Sequence, residues 1–234
     1  MVSQPTSAAA PPHPDGGSAL AETVLSGPEH GSGYFYPATA GGTPLALMAF
    51  ASTLGLLSMG NAEWFDLRAL IIVAPAALAF GAVAMILSGM WDFRAGNGFA
   101  GTWETSYGCF WLFLGLQLAI FGPRVLAAAG AEGAGHAFGA YLLIWALITA
   151  GFTAGTWFVA RAAFIAFGLL VVVLVFLGVA NLVSSADTSD TLRQIGGWIG
   201  VVDALVGFYV AFALMMNALL GRWVAPIGLY QSSK

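Results

Sequence analysis

Two stretches, Thr43-Pro-Leu-Ala-Leu-Met-Ala-Phe50 and Thr105-Ser-Tyr-Gly-Cys-Phe-Trp111, decide how the rest of this sequence is interpreted. Each stands at the start of a long apolar segment. The first joins a proline to an apolar run that ends in Phe50. The second places the hydroxyl groups of Thr105, Ser106 and Tyr107 at the beginning of another apolar run. Both stretches therefore indicate the start of a membrane span.

The composition excludes an ordinary soluble domain. Of the 234 residues, 59% are hydrophobic and 8% are charged, whereas about a quarter of the residues of a soluble domain are charged. The net charge is −4 and the seven basic residues are scattered along the chain, so no nucleic-acid-binding patch is expected.

Six apolar runs follow the first 42 residues, and each is interpreted as a membrane span. A span needs about 20 mostly apolar residues, so five runs qualify easily and the first is short. Six of the eight tryptophans fall near the predicted ends, as expected at a membrane–water interface. The predicted fold is all-α, an integral membrane bundle of six transmembrane helices over residues 44–60, 68–92, 103–122, 137–159, 162–184 and 196–220.

The segments outside the spans are predicted to be tails. Residues 1–42 are rich in proline, glycine, serine and alanine, so they are expected to be disordered or to lie on a surface. Residues 43–228 form the predicted six-helix domain and residues 229–234 a C-terminal tail. Six spans put both termini on one side of the membrane. Four basic residues on that side against three on the other favour the cytoplasm.

Thr105 and Ser106 at the start of the third span, and further polar residues inside the spans, are candidates for a substrate path. Thr149 and Thr153 share one face of the fourth span, where their hydroxyls line a pore or bond to their own backbone. Asn181, near the end of the fifth span, is either a contact between helices or a contact for a ligand.

Two acidic residues, Glu104 and Asp203, can likewise have either a functional or a structural role. Glu104 is placed in the first turn of the third span, where the positive helix terminus favours a carboxylate. Asp203 lies about 10 Å into the sixth span at the usual rise per residue. An acid at that depth usually faces a cavity or a partner, so Asp203 is either a proton relay or a paired structural acid.

An embedded enzyme is not supported. His13 and His30 lie in the tail and His136 in a loop, and no His-x-x-x-His or Gly-x-Ser-x-Gly pattern occurs. The sequence therefore predicts no catalytic residues, no metal site and no cofactor.

The order of several short motifs resembles the succinate–acetate permease family, also called the acetate uptake transporter family. Each motif is weak alone, but together they run from Pro44 to Gly228 in the family's order. They are Pro44-Leu-Ala-Leu-Met-Ala-Phe50, Gly96-Asn-Gly-Phe99, Thr105-Ser-Tyr-Gly108 with Phe110-Trp111, Tyr141 with Trp145, Ala180-Asn181, Gly197-Trp-Ile-Gly200, and Gly221-Arg222 before Pro226-Ile-Gly228.

The resemblance implies a multi-pass protein of a cell membrane, assembled as a homohexamer with a narrow carboxylate path in each protomer. It also implies a hydrophobic constriction at Phe50, Tyr107 and Leu170. The first two positions follow from motif matches, and Leu170 follows from counting along the fifth span. Aromatic and aliphatic side chains would resist hydrated ions, while one phenolic hydroxyl guides a carboxylate. The expected substrates are acetate and succinate, and the expected mechanism is an anion channel or a proton-linked permease.

The chain also departs from the family pattern. The family opens with Asn-Pro-Ala-Pro-Leu-Gly, whereas this chain reads Gly41-Gly-Thr-Pro-Leu-Ala46. Glu104 and Asp203 stand where the family has uncharged residues, so both are expected to line or border the path and to change its anion selectivity or proton coupling. Alternative functions are the passage of ammonia or another short carboxylate, or a membrane scaffold without transport.

Overall fold

The computed structural model describes residues 41–229, and the fold of this part of the chain is built from helices joined by short connections. The predictions for residues 1–40 and 230–234 lie outside the described residues. A π-helical turn over Gln117–Phe121 joins the third helix to the fourth. The helices are α1 (Thr43–Asn61), α2 (Leu67–Arg94), α3 (Gly98–Leu116), α4 (Gly122–Thr156), α5 (Arg161–Ala180) and α6 (Ala186–Leu220).

Five helical segments of the described chain are long and apolar enough to cross a membrane. Four are α1, α2, α5 and α6, and the fifth is the 59-residue run Gly98–Thr156 that contains α3 and α4. As a straight helix this run would extend about 88 Å, nearly three times the hydrocarbon core of a bilayer. The predicted all-α membrane class is confirmed, and the number of segments that meet these criteria is five, not the predicted six.

The 59-residue run doubles back on itself. Gly130 has φ 71° and ψ 174°, a conformation that interrupts the helix and that glycine adopts without a steric penalty. Beyond it, ring contacts pair the start of the run with its end, because Phe99 lies 6.1 Å from Phe152 and Phe113 lies 4.0 Å from Tyr141. The order of these pairs shows that α3 and the later part of α4 are antiparallel neighbours.

The most buried of these segments is α1, with half of its residues inside the described structure. Its N-terminus is held by Asp92 from the end of α2. One oxygen of that carboxyl group accepts a hydrogen bond from the Gly42 backbone N–H and the other from the Thr43 hydroxyl, each at 2.8 Å. An acid at this position satisfies backbone donors that have no partner within the helix and meets the positive end of the helix dipole. Asp92 thus supplies the cap that Gly42 itself lacks.

Glycines let α2 and α3 approach closely. A Cβ atom built on Gly108 would lie 2.9 Å from the backbone nitrogen of Ile86 and 3.1 Å from the carbonyl oxygen of Ala82. One built on Gly101 would lie 2.9 Å from the carbonyl oxygen of Gly89. Because the neighbours are backbone atoms, they cannot move aside by changing rotamer. Small residues at such a contact allow the packing that holds membrane helices together.

The third, fourth and sixth helices begin at least five residues earlier than the sequence predicted, and the fourth begins at Gly122 instead of residue 137. The third helix begins at Gly98 instead of residue 103, where the Asn97 side chain caps it by accepting a 3.0 Å hydrogen bond from the N–H of Ala100. The sixth begins at Ala186 instead of residue 196. Its first turns are polar, so hydropathy alone placed them outside the span.

These boundaries change the interpretation of both acids. Glu104 lies beyond the first turn of α3 and its side chain is fully buried, so its interpretation as an acid at the helix terminus is wrong. Asp203 is the central residue of the 35-residue helix α6 and lies far deeper along it than the predicted 10 Å.

The end of the described chain folds back to the start of α5. Gly221 ends α6 in the left-handed conformation with φ 59°. The N–H of Arg161 then donates to the carbonyl of Gly228 at 2.8 Å, and the N–H of Ala162 donates to Ile227 at 3.1 Å. This closes the end of the bundle that also contains the beginning of α1.

Candidate functional site

Two cavities adjoin each other inside the helix bundle. Three residues line both of them, namely Phe50, Tyr107 and Leu170. These residues come from α1, α3 and α5 and are almost inaccessible to solvent, with 8%, 1% and 4% of their surfaces exposed. We call them the partition, because they separate the smaller cavity from the larger one.

The partition is held by aromatic contacts and by one pair of hydroxyl groups. The rings of Phe50 and Tyr107 meet edge to face, with 5.2 Å between their centres. The Tyr107 hydroxyl is hydrogen-bonded to the Thr149 hydroxyl. Since Thr149 donates its own proton to the carbonyl of Trp145 at 2.6 Å, the Tyr107 hydroxyl acts as the donor in this pair. In this arrangement Tyr107 presents an apolar ring, and its single proton is already engaged.

The smaller cavity has a volume of about 20 Å³, which is room for about one water molecule. Asp203 is the one charged residue among those that line it. Its side chain is 1% exposed, and its Oδ2 atom has no hydrogen-bond partner within the described part of the chain. A buried carboxyl group in this state is costly unless it is neutral or meets a polar ligand.

The larger cavity has a volume of about 240 Å³ and extends from the partition to the opposite end of the bundle. Near the partition its walls are apolar and aromatic. At the far end, where α1 and α5 finish and α6 begins, its walls become polar. The polar lining residues there are Asn61, Asn181, Ser189 and Arg193.

Arg193 links three segments at that end. Its guanidinium group donates to the backbone carbonyl of Asn61 at 3.0 Å, to the carboxylate of Glu63 at 2.7 Å and to Asp190 at 3.1 Å. The hydrogen bond from Arg193 lowers the pKa of the Glu63 carboxyl, which lies in the connection between α1 and α2. Neither acid lines the cavity, so Arg193 is the charged residue that the larger cavity presents.

The two threonines predicted to share a face of α4, Thr149 and Thr153, make different contacts. Thr153 donates a 2.8 Å hydrogen bond to the carbonyl of Thr149, one turn earlier, so it bonds to its own backbone. Thr149 does the same toward Trp145 but also contacts Tyr107. Neither threonine is among the residues lining the two cavities. The structure thus relates Thr149 to the partition and leaves Thr153 in the helix wall.

The residues predicted near the start of α3 lie outside both cavities. Glu104 is fully buried and lies close to Asp92, the residue that caps α1. The Thr105 hydroxyl is buried without a hydrogen-bond partner among the described residues, and Ser106 is half-buried. Their roles in a path stay predictions, whereas Asn181 and Asp203 do line a cavity.

The sequence reasoning missed Arg193 and Asn61 as cavity residues. Both residues lie just outside the predicted spans, Asn61 after residues 44–60 and Arg193 before residues 196–220. A helix cap at Ser185, whose hydroxyl accepts from the N–H of Thr188 at 3.5 Å, was the available signal that α6 starts early enough to bring Arg193 to the bundle.

Similarity to known proteins identifies the family. Residues 31–224 match the GPR1/FUN34/yaaH family, which covers most of the chain. The chain belongs to this family. The resemblance seen in the short motifs is therefore confirmed over the whole helical region.

Several proteins similar to this chain are named for transport. The succinate-acetate/proton symporter SatP of Escherichia coli (strain K12) is 33% identical over 185 residues, which cover 79% of this chain and 93% of SatP. Ammonia transport outward protein 2 of Saccharomyces cerevisiae is 33% identical over 171 residues, covering 73% of this chain and 59% of that protein. The structure of the bacterial acetate channel SatP superimposes with a TM-score of 0.71 at 31% identity, covering 81% of this chain and 99% of that one.

These similarities agree with the five apolar helical segments. The chain is a multi-pass membrane protein of an acetate and succinate transport family, and it is not an enzyme.

Proposed function

We propose that this protein carries acetate, and succinate as a second substrate, across a cell membrane through a narrow path in each protomer. The path consists of the smaller cavity, the partition of Phe50, Tyr107 and Leu170, and the larger cavity. The observation that supports this most directly is that these three residues line both cavities, so a solute passing between the cavities must displace them. SatP, which is named as an acetate channel and as a succinate-acetate/proton symporter, points to the same substrates.

The chemistry of the partition suits a small carboxylic acid. A hydrated ion would lose its water shell among Phe50 and Leu170 without replacement, whereas the methyl group of acetate fits apolar walls. Passage as the neutral acid avoids the largest desolvation cost. The Tyr107 hydroxyl can offer a hydrogen bond to the carboxyl group when it turns away from Thr149.

Asp203 gives the path a proton acceptor beside the partition. Its unpaired Oδ2 and its position on the smaller cavity support a proton-linked mechanism, in which the acid takes up a proton that accompanies the substrate. In a simple anion channel, a charged Asp203 would instead repel the carboxylate. The pH dependence of flux separates the two mechanisms.

The proposed topology has six crossings, because the 59-residue run interrupted at Gly130 has the length of two spans and its halves are antiparallel. Both termini then lie on one side, and the slight excess of basic residues there favours the cytoplasm. By family resemblance the assembly is a homohexamer.

The path is tested by blocking it at Leu170. Leu170→Trp fills the partition with a larger side chain, and we expect the uptake of labelled acetate into liposomes to fall by at least about tenfold. The matched control is Leu205→Trp, which adds the same side chain at a position that is 63% exposed on the outside of α6. Equal uptake by Leu170→Trp and the native protein would refute this path. An absence of flux through the native protein would favour the scaffold alternative.

A second candidate substrate is ammonia, which is favoured by the similarity to the yeast protein named for ammonia export. Ammonia is small and neutral and would pass the partition more easily than acetate. A panel that measures acetate, succinate and ammonia flux in the same liposomes ranks the two candidates.

A further inference from the structure

The far end of the larger cavity has the chemistry of an anion-binding site. Arg193 lines it with a side chain that is 16% exposed, and the amide groups of Asn61 and Asn181 lie among the same lining residues. We call this set of three residues the basic end of the cavity. The smaller cavity, on the other side of the partition, has Asp203 as its charged lining residue. An acidic residue therefore lines one cavity and a basic residue lines the other.

We infer that the basic end is the site where the path first binds its substrate, with Arg193 holding the carboxylate before the substrate reaches the partition. This inference rests on the proposed function and adds to it a named binding residue and a site distinct from the partition.

The side chains at the basic end can satisfy a carboxylate. A guanidinium group presents planar donors that match the two oxygens of a carboxylate and keeps its charge at any physiological pH. The side-chain amide of Asn61 is nearly buried and makes no hydrogen bond among the described residues, so its donors are available. Asn181 uses one amide hydrogen to bond the carbonyl of Leu177 at 2.8 Å and retains the other.

Glu63 and Asp190 restrain this site. Both carboxylates hydrogen-bond to the Nη2 atom of Arg193, yet neither lines the cavity. They hold the guanidinium group in place and reduce the positive charge that a substrate meets. A substrate carboxylate therefore competes with them for the same group. Removing one of these acids should strengthen substrate binding, while removing Arg193 should weaken it.

These opposite effects on substrate binding distinguish a binding role of Arg193 from a purely structural one. Arg193→Gln and Glu63→Gln both break the 2.7 Å ion pair between α6 and the α1–α2 connection. If the pair only stabilised the fold, both variants would impair the protein in the same direction. If Arg193 binds substrate, the two variants change the KM for acetate in opposite directions.

The experiment measures initial rates of labelled acetate uptake into liposomes over a range of acetate concentrations. We expect Arg193→Gln to raise the KM by about tenfold with little change in the maximal rate, because a charge-assisted hydrogen bond to the substrate is lost. Arg193→Lys, which keeps the charge without the planar fork, should give an intermediate KM. Glu63→Gln and Asp190→Asn should each lower the KM.

Two controls make the result specific. Arg68→Gln removes a positive charge that pairs with Asp66 near the same end of the bundle but is 92% exposed, and it should leave the KM unchanged. Acetamide, the uncharged analogue of acetate, should pass the native protein and Arg193→Gln at equal rates.

The inference is overturned if Arg193→Gln leaves the KM for acetate unchanged, or if acetamide flux falls as much as acetate flux. Should Arg193→Gln fail to fold, an unchanged or raised KM in both Glu63→Gln and Asp190→Asn overturns it instead. If the native protein carries no carboxylate at all, the proposed function fails first. If carboxylate flux occurs but does not depend on Arg193, substrate binding at the basic end is contradicted while the proposed function stands.

Discussion

Single residues determine the electrostatic character of the two cavities that form the proposed path. Asp203 and Arg193 both come from α6, yet they line different cavities on opposite sides of the partition. The aromatic and aliphatic partition between them has no charge. A carboxylate moving along the path would therefore leave a basic site, cross an apolar barrier and meet an acid. Such a sequence of environments favours a substrate that gains a proton on the way.

Replacing Asp203 tests that idea. A proton-linked mechanism predicts that the native protein takes up more acetate at acidic pH. Asp203→Asn keeps the shape of the side chain but removes the proton-binding group, so we expect uptake by this variant to depend less on pH. The measurement is labelled acetate uptake into liposomes from pH 5 to pH 8, about the range over which histidine and perturbed acids exchange protons. Glu104→Gln is the comparison, with a smaller expected change because Glu104 lines neither cavity. If both variants keep the pH profile of the native protein, neither acid takes part in proton coupling.

At the scale of the helices, close backbone contact between α2 and α3 positions Tyr107. Gly101 and Gly108 lie on α3 on either side of Tyr107 and face the backbone of α2. The aromatic rings around Tyr107 then fill the space toward α4 and α5, including Trp145 at 5.3 Å and Phe167 at 6.3 Å. The position of the partition therefore depends on how closely these two helices pack.

Gly108→Ala is expected to lower the free energy of unfolding by about 1–3 kcal/mol, as overpacking of a close contact usually does. The added methyl group would meet the backbone nitrogen of Ile86 at 2.9 Å. The control is Gly151→Ala, because a Cβ atom there meets nothing within 4 Å. Alanine favours a helix interior over glycine by about 1 kcal/mol, so the control should be unchanged or more stable. Unfolding in detergent measures both, and equal stability would show that α2 and α3 can move apart without cost.

For the whole molecule, the 59-residue run decides the topology. The reversal between α3 and the later part of α4 places Gly155 near the start of α3, since a Cβ atom on Gly155 would lie 2.5 Å from the ring of Phe99. With six crossings, the connections at Gly98 and Trp157 lie on one side of the membrane, whereas a single crossing of the run would put them on opposite sides.

Cysteine labelling distinguishes these topologies. Cys109, the one cysteine of the chain, is first replaced by serine. Single cysteines are then placed at Gly98 and Trp157, and others at Glu132 and Ser184. In sealed vesicles, a membrane-impermeant maleimide should label the first two from one side and the last two from the other. Labelling of Gly98→Cys and Trp157→Cys from opposite sides would contradict six crossings.

The amino-acid sequence by itself determined the membrane class, the family and the approximate position of each helix. Hydropathy and motif order are local properties, and a chain with 8% charged residues has few ways to fold outside a membrane. The sequence also named Phe50, Tyr107 and Leu170 together, through resemblance, and their function as a constriction stays a prediction. Local patterns were less accurate at helix ends, because the caps at Asn97 and Ser185 extend helices into polar residues that hydropathy excludes.

Only the tertiary structure decided which polar groups meet a cavity. Thr153 and Asn181 were both candidates for a path, and each donates a hydrogen bond to the backbone of its own helix, yet Asn181 lines the larger cavity and Thr153 does not. Arg193 became a cavity residue because α6 begins before it and packs against the end of α1. The physical reason is that the face a side chain presents depends on where its helix starts and which helix lies beside it, and both depend on contacts between residues far apart in the chain.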